Sequence, residues 1–347
     1  MIKVLYFGTL DWGSTSLQRL EGLRAAGAQV YGVDQRIFAG EYLRRSPWQR
    51  LQMRLGRGPL PARISRELVR EARRYRPQVV WVDSGLCVSQ EALRRIKETT
   101  QAFCVHYTPD SLVSPGLGNA CFIRALPEYD LCITTKAREE GRYYRQGARR
   151  VWISQKGYDP GIHRPLPLSP AEQEQFSCQV AFAGERMEAR AQSLCRLVAR
   201  LPVRINLYGR DWDRGRTGAV LAWFDKGWVY GEDYAKALGG AQIALGFLNR
   251  EVGDTDTTRS LEIPACGAFL LAERTDRHLE LFREDREAAF FSSDEELIDK
   301  VQFYLAHDTL RQRIARAGYE RVQKLDLTWA AVMQRCLAAI ARIARED

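Results

Sequence analysis

Continuous apolar runs alternate with amphipathic segments along the first half of this chain. Runs of strand length occupy residues 2–7, 29–34, 78–83, 101–106, 130–134 and 150–154. Between them, apolar residues recur at helical spacing over residues 15–26, 65–75, 89–97, 119–126 and 137–146. Buried strands that alternate with amphipathic helices are typical of a parallel sheet covered on both faces.

The same alternation restarts after a loop rich in Pro and Gly at residues 155–170. Strands are predicted at 178–184, 203–209, 242–248, 268–272 and 288–291, and helices at 185–200, 233–238, 258–265, 294–307 and 309–322. A last helix, at 328–344, places one apolar face along Trp329, Met333, Cys336, Leu337, Ile340 and Ile343. The pattern predicts two doubly wound α/β domains, 1–160 and 161–327, and a C-terminal helix at 328–347 that packs on either of them.

The bulk composition agrees with two soluble domains. A chain of 347 residues exceeds one ordinary core. No apolar run reaches the roughly 18 residues of a membrane span. The eight cysteines form no Cys-x-x-Cys pair and the four histidines lie far apart. We therefore expect reduced thiols, a cytoplasmic location and no zinc site.

Positive charge is concentrated in the first half of the chain. Residues 1–165 contain 27 Lys and Arg against 15 Asp and Glu, whereas residues 166–347 contain 25 against 28. This asymmetry indicates an anionic partner for the first half, or only a composition rich in arginine.

The basic segment at residues 44–57 carries apolar side chains at helical spacing. Trp48, Leu51 and Leu55 share one face, and Arg50, Arg54 and Arg57 lie on another. This pattern fits a helix on anionic lipid, peripheral at the inner face of a membrane, or contact with a phosphate-rich acceptor. A surface helix docked on its own domain is the plainer interpretation.

The polar loop at residues 253–258 leads into a helix and then into an apolar strand. Asp254 and Glu262 provide two carboxylates, which accept hydrogen bonds from sugar hydroxyls. We expect Thr257, Thr258 and Arg259 to contact phosphate. Two Asp-x-Asp triplets, at 211–213 and 254–256, are interpreted as non-metal, because such triplets are common by chance.

Ligands of open α/β sheets bind at the carboxyl ends of the strands. In the first half, Gly13 and Ser14 lie in the first strand-to-helix turn, and His106 ends the fourth strand. In the second half, Gly184 ends a strand, and Arg186 and Arg190 follow one helical turn apart. These guanidiniums could bind a diphosphate, or belong to a solvated helix face. His106 could hydrogen-bond a sugar, or have only a structural role.

Residues 256–271 resemble the hallmark of the CgeB-type (spore-maturation-protein-like) glycosyltransferases. Residues 159–165, 295–300 and 314–319 extend the resemblance. It implies a GT-B fold, in which two Rossmann-like domains face each other across a cleft. The second domain would bind a nucleotide-sugar donor and the first an acceptor.

The resemblance also implies roles for individual residues. Glu262 stands where the second Glu of the Glu-x7-Glu pattern contacts ribose. Asp254, one methylene shorter than the first Glu of that pattern, would contact the donor sugar. Further implied positions are Arg186 and Arg190 for the diphosphate, Tyr230 and Gly231 for the base, His106 for catalysis, and Gly13, Ser14 and Asp83 for the acceptor side.

The sequence therefore predicts a retaining glycosyltransferase that uses a UDP-, GDP- or dTDP-sugar and neither metal nor cofactor. Two alternatives stay open. One is a sugar-nucleotide epimerase or hydrolase on the same fold. The other is a basic module that binds nucleic acid or an anionic polymer. A related alternative keeps the sugar transfer but makes nucleic acid the acceptor.

Overall fold

The computed structural model describes residues 1–39, 46–84, 87–112 and 120–346. Within these ranges the chain forms two compact units. The first unit contains residues 1–156 and the C-terminal residues from 328 onward, and the second unit contains residues 157–327. Arg44 and Arg45 of the predicted basic segment lie outside the described residues.

The described part of the first unit contains a six-stranded parallel sheet in the order β2-β1-β3-β4-β5-β6. Its strands are β1 Lys3–Gly8, β2 Gln29–Asp34, β3 Val79–Asp83, β4 Phe103–Thr108, β5 Leu131–Thr134 and β6 Val151–Ile153. The strands predicted here are confirmed, with ends that differ by two residues at most. β1 and β3 are neighbours, and from them the chain proceeds in opposite directions across the sheet.

The helices of the first unit begin at recognisable caps. Ser14 accepts a hydrogen bond from the Leu17 amide at 3.1 Å, and Ser89 accepts one from the Ala92 amide at 3.2 Å. The helices are α1 Thr15–Ala25, α2 Arg36–Ala39, α3 Pro47–Leu55, α4 Pro59–Tyr75, α5 Gln90–Thr100, α6 Ala120–Ala125 and α7 Glu140–Arg145.

The described second unit contains a five-stranded parallel sheet in the order β11-β10-β9-β7-β8. Its strands, also within two residues of their predicted ends, are β7 Cys178–Ala183, β8 Ile205–Tyr208, β9 Ala241–Gly246, β10 Leu270–Glu273 and β11 Ala289–Phe291. Its helices are α8 Pro170–Phe176, α9 Glu188–Arg200, α10 Gly218–Leu221, α11 Gly231–Gly239, α12 Arg259–Ala265, α13 Asp276–Leu281, α14 Asp294–Ala306 and α15 Asp308–Lys324. The short helices α8, α10 and α13 were not evident from periodicity.

The last helix, α16 Trp329–Glu346, belongs to the first unit and packs against α1. Trp329 donates from Nε1 to Oε1 of Gln18 at 2.9 Å. A Cβ atom at position 22 would lie 2.8 Å from the carbonyl oxygen of Trp329, so this close approach requires Gly22. The predicted apolar face is buried except for Leu337, which is half-buried, and Val332 and Ala339 extend it.

The structure gives Asp83 a different environment from the acceptor side to which the sequence assigned it. Asp83 and Arg19 form a buried bidentate pair, with N···O distances of 2.7 and 2.8 Å. Tyr6 donates a further hydrogen bond to Asp83 at 2.6 Å. The Arg19 guanidinium lies over the rings of Tyr107 and Trp329. Both carboxylate oxygens are therefore used inside the fold, where they join α1, β1 and β3.

Helix α3 is docked on its own unit, where it packs against α4, as the plainer interpretation predicted. Gln52 is buried in this contact region and accepts a hydrogen bond from the Leu60 amide at 3.2 Å. The apolar side chains stay open, since Trp48, Leu51 and Leu55 are 65, 43 and 51% exposed. None of the described helices is long and apolar enough to cross a membrane.

We predict that Asp83→Asn destabilises the first unit by about 3–5 kcal/mol, because it leaves the Arg19 charge buried without a counter-charge. Urea denaturation followed by circular dichroism measures this loss. The control is Glu91→Gln, which breaks the Glu91–Arg95 pair, whose side chains are 61 and 59% exposed. This variant should change stability by at most about 1 kcal/mol. Equal losses in the two variants would contradict the structural role of Asp83.

Candidate functional site

The second sheet reverses its strand order between β7 and β9, and the candidate site lies at the loops that follow these two strands. The chain leaves β7 for β8 on one side, whereas β9 leads to β10 on the other. Ligands of open α/β sheets bind in the crevice that such a reversal creates. The loops beyond β7 and β9 here carry Gly184, Leu248 and Asn249.

Two guanidinium groups meet at this reversal, over the ring of Phe182. The Cζ atoms of Arg190 and Arg259 lie 5.7 and 5.5 Å from the centre of that ring. Arg190 is buried and donates to the carbonyl oxygens of Leu248 and Glu185. Arg259 donates weakly to the Phe247 carbonyl at 3.4 Å. Positive charge is thus held in place by neutral carbonyl groups.

Of the three carboxylates whose charge acts on Arg190, which are Asp254, Glu273 and Glu185, the last two are bound by other arginines. Arg250 binds Glu273, and Arg210 binds Glu185. Among the described residues, neither Arg190 nor Arg259 forms an ion pair. Burial, together with the charge of Arg259, lowers the pKa of Arg190 to about 10, so it remains protonated at neutral pH. Two adjacent cations without a paired anion form a site for a ligand with several negative charges.

Gly184 provides the space that this arrangement needs. A Cβ atom at position 184 would lie 2.8 Å from Cζ of Phe182 and 3.3 Å from Nη1 of Arg259. A larger residue would displace the ring or the guanidinium. Gly184 therefore leaves the space that the Phe182 ring and the Arg259 guanidinium occupy.

Arg186 does not pair with Arg190 as the sequence spacing suggested. Helix α9 begins at Glu188, so Arg186 precedes the helix and the one-turn relation does not apply. Its Nη2 donates to Glu188 at 2.6 Å and to Thr217 at 3.1 Å. The partner of Arg190 at this site is Arg259.

Glu262 lies on α12 in a buried polar cluster. Tyr234 donates to its Oε2 at 2.6 Å, and Nε2 of His163 lies 3.8 Å from its Oε1. His163 accepts a hydrogen bond at Nδ1 from the Asp159 amide, which leaves Nε2 as the protonated nitrogen of the neutral ring. Burial and the neighbouring Glu262 raise the pKa of Tyr234. Among the described residues, Oε1 of Glu262 accepts no hydrogen bond.

The loop before α12 is fixed by a second histidine. Ser260 hydrogen-bonds Nε2 of His278 at 2.7 Å and accepts a hydrogen bond from the Thr257 amide at 3.0 Å. Oγ1 of Thr257 and Nε of Arg259 are buried without a hydrogen-bond partner among the described residues. Thr258 precedes the helix, and the negative charge of Asp254 acts on Arg190. The Thr257 hydroxyl and the Arg259 guanidinium therefore each have a polar atom that no described residue hydrogen-bonds.

An exposed aromatic pair precedes α11. Trp228 and Tyr230 stack with centroids 5.5 Å apart and planes 10° apart. Their exposed fractions are 44 and 38%, and Arg210 lies over the Trp228 ring. Gly231, at φ +56°, follows Tyr230 at the first position of the helix. Such a flat, open surface is suited to stacking of a planar base.

The predicted residues of the first unit have internal partners or are enclosed. His106 is fully buried between the rings of Phe122 and Tyr129. Burial lowers its pKa to about 3, so it is neutral at physiological pH and does not reach an open surface. Ser14 caps α1 and donates to Thr9, and Gly13 turns the loop at φ +85°. The described residues contain no cluster suited to hold a metal ion.

Sequence reasoning missed His163, Tyr234, Phe182 and Trp228 as parts of the site. His163 was noticed only within the family motif of residues 159–165. Tyr234 lies four residues after Tyr230, on the face of α11 that meets Glu262, and no pattern separated it from a core tyrosine. Phe182 reads as an ordinary strand residue.

Residues 188–338 match the family described as "Glycosyl transferase-like" (Glyco_trans_1_2). No curated protein matches the chain. Solved structures do resemble it. Sucrose-phosphate synthase from Thermosynechococcus elongatus is 14% identical over 100% of both chains, with a TM-score of 0.73.

Two further structures resemble the whole chain. HepE of Anabaena, in complex with UDP-glucose, is 13% identical over 99% of this chain and 100% of its own, with a TM-score of 0.67. Trehalose-6-phosphate synthase OtsA is 12% identical over 97% of this chain and 98% of its own, with a TM-score of 0.66. These similarities show that the chain has the GT-B fold, and the family match describes residues 188–338 as glycosyl transferase-like.

Proposed function

We propose that this protein is a CgeB-type glycosyltransferase that moves a sugar from a UDP-, GDP- or dTDP-sugar to an acceptor hydroxyl. The observation that carries the proposal is the pair Arg190 and Arg259, which share the Phe182 ring and form no ion pair among the described residues. The glycosyl transferase-like family match and the nucleotide-sugar bound by HepE support the same reaction class.

In the proposed reaction, the bond between the anomeric carbon and the diphosphate oxygen breaks as the acceptor oxygen bonds to that carbon. The two guanidiniums stabilise the charge that develops on the departing diphosphate. Its oxygen takes the acceptor proton, so attack occurs on the face that the nucleotide leaves and configuration is retained. Because arginines supply the positive charge, the mechanism requires no metal ion.

The remaining polar groups suit the other parts of the donor. Glu262 offers its free Oε1 to the ribose hydroxyls, and Tyr234 holds the other oxygen. The base stacks on Trp228 and Tyr230, next to Gly231. Asp254 contacts the donor sugar, and Thr257 supplies a hydroxyl to phosphate.

We assign the acceptor to the first unit, near the loop of Gly13 and Ser14. His106 and Asp83 support the fold of that unit, because both are buried and Asp83 is paired. All eight cysteines are free thiols, which supports a cytoplasmic location. The boundaries 1–160, 161–327 and 328–347 remain our functional division of the chain.

A direct experiment separates this function from its alternatives. Thermal-shift screening with UDP, GDP, dTDP, ADP, CMP and their sugars identifies the donor, because a ligand of the folded state raises the melting temperature. The selected donor is then incubated without acceptor. Rapid conversion of the donor under these conditions would favour an epimerase or hydrolase. DNA binding that falls steeply with salt, without nucleotide-sugar binding, would favour a nucleic-acid module.

We predict that Arg259→Gln and Arg190→Gln each weaken UDP and pyrophosphate binding by about 10- to 100-fold, as expected for loss of charged hydrogen bonds worth roughly 1.5–3 kcal/mol. Isothermal titration calorimetry measures both ligands. Arg196→Gln is the control, since Arg196 also lies on α9 but is 61% exposed and pairs with Asp294. Unchanged pyrophosphate affinity in both site variants would exclude the diphosphate role.

We predict that Glu262→Gln weakens UDP binding by about 10-fold and leaves pyrophosphate binding unchanged, since pyrophosphate has no ribose. Gln keeps an oxygen that can accept the Tyr234 hydrogen bond, so the fold is retained. A loss of about 1.4 kcal/mol corresponds to this factor. Competition between UDP and pyrophosphate in one calorimetric titration measures the difference. A variant that binds UDP as the wild type does would refute the ribose contact.

A further inference from the structure

The exposed side of α3 carries an apolar stripe. Trp48, Leu51 and Leu55 lie within a 60° arc of the helix at 100° per residue, and each is at least 43% exposed. Helix α2, which also packs against α4, carries Ile37, which is 72% exposed. Large apolar side chains that cluster on a surface indicate an interaction site.

The helix α4, which packs against α3, carries positive charge without counter-ions. Its exposed arginines that have no carboxylate partner among the described residues are Arg63, Arg66, Arg73 and Arg74, with Arg76 at its C-cap. Arg70, in contrast, is bound by Glu67 and Glu71. Arg57, in the loop between the two helices, is also exposed and has no carboxylate partner in the described part of the chain. Unpaired cations on a surface attract anions.

A groove of about 560 Å³ runs between α4 and α5. Arg66, Arg70, Arg73 and Arg95 line it, and Arg95 pairs with the exposed Glu91. Its volume exceeds that of a phosphate group, and Glu91 is also part of the lining. An apolar stripe and a groove lined mainly by arginines among its charged residues therefore lie on neighbouring helices of the first unit.

We propose that this surface, α3 with α4 and the α4–α5 groove, docks on a bilayer of anionic phospholipids. Trp48, Leu51 and Leu55 enter the boundary between headgroups and acyl chains, and the arginines bind lipid phosphates. Charge complementarity identifies the partner as anionic. The two leucines favour lipid over nucleic acid, because a leucine side chain does not stack on a base as an aromatic ring does.

The test is co-flotation of the full chain with vesicles of phosphatidylcholine alone, or of phosphatidylcholine with 40 mol% phosphatidylglycerol. We expect binding to the anionic vesicles only, falling as salt rises. The variant Trp48→Ser/Leu51→Ser/Leu55→Ser should lose more than about ten-fold in partition coefficient, since full burial of each such side chain contributes on the order of 1.5–3 kcal/mol. Arg66→Gln/Arg73→Gln should lose about five-fold per arginine.

Two control variants lie in the second unit. Trp223→Ser removes a tryptophan that is 84% exposed, and Arg316→Gln removes an exposed arginine on α15. Neither should change vesicle binding. Quenching of fluorescence by brominated lipid provides a second readout, and it should decrease in Trp48→Phe.

Several results would overturn the proposal. One is equal binding to neutral and anionic vesicles, or no binding to either. Another is that the wild-type protein binds DNA but not anionic vesicles, and that the Trp48, Leu51 and Leu55 variant loses the DNA binding. A third is a dimer in sedimentation velocity that the same variant converts to monomer. Because neither donor nor acceptor is present, these results are independent of the proposed transferase activity.

Discussion

The charge that the candidate site depends on is held by carbonyl oxygens and a phenyl ring, and neither Arg190 nor Arg259 forms an ion pair among the described residues. Arg190 and Arg259 repel each other across Phe182, and burial adds a desolvation cost, which is why the pKa of Arg190 falls to about 10. A fold selected only for stability would place a carboxylate between them. Glu273 is near enough to act on Arg190, yet it is bound by Arg250. A ligand with several negative charges can therefore neutralise the positive charge that the fold leaves without an ion pair.

In the first unit, by contrast, the buried charge at the corresponding edge of the sheet is neutralised within the fold. At its own reversal of strand order, between β1 and β3, the charge of Asp83 is matched by Arg19 and by the Tyr6 hydroxyl. His106, one strand further, is neutral and enclosed by aromatic rings. The charged pair at this edge is thus matched within the fold, and the neutral His106 adds no charge that an ion would complement. This contrast assigns the recognition of a charged ligand to the second unit. The first unit would recognise its partner by shape at this edge, or through charges on its own outer surface.

Strand positions could be predicted from the sequence because buried parallel strands are continuous apolar runs, so β2 was predicted with its observed ends. Side-chain partners at the strand ends could not. Arg186 and Arg190 looked equivalent by spacing, but α9 begins three residues later than predicted, so Arg186 lies in the loop and donates to Glu188 and Thr217. Asp83 was assigned to the acceptor side, and only the packing of α1 shows that Arg19 reaches it. Periodicity fixes which face of an element is apolar; as α3 shows, it does not say whether the protein itself covers that face.

The balance of forces on the exposed surface of α3 and α4 makes docking conditional on charge. Trp48, Leu51 and Leu55 are about half exposed, so burying the rest of them contributes roughly 3 kcal/mol in total. That is weaker than a single acyl chain, whose binding of about 10⁴ M⁻¹ is itself marginal. The six exposed arginines that have no carboxylate partner among the described residues contribute about 1 kcal/mol each near an anionic surface. Neither term suffices alone, whereas their sum gives firm but reversible attachment. A surface of this kind distinguishes an anionic membrane from a neutral one and releases it at high salt, because more than half of the attraction is electrostatic.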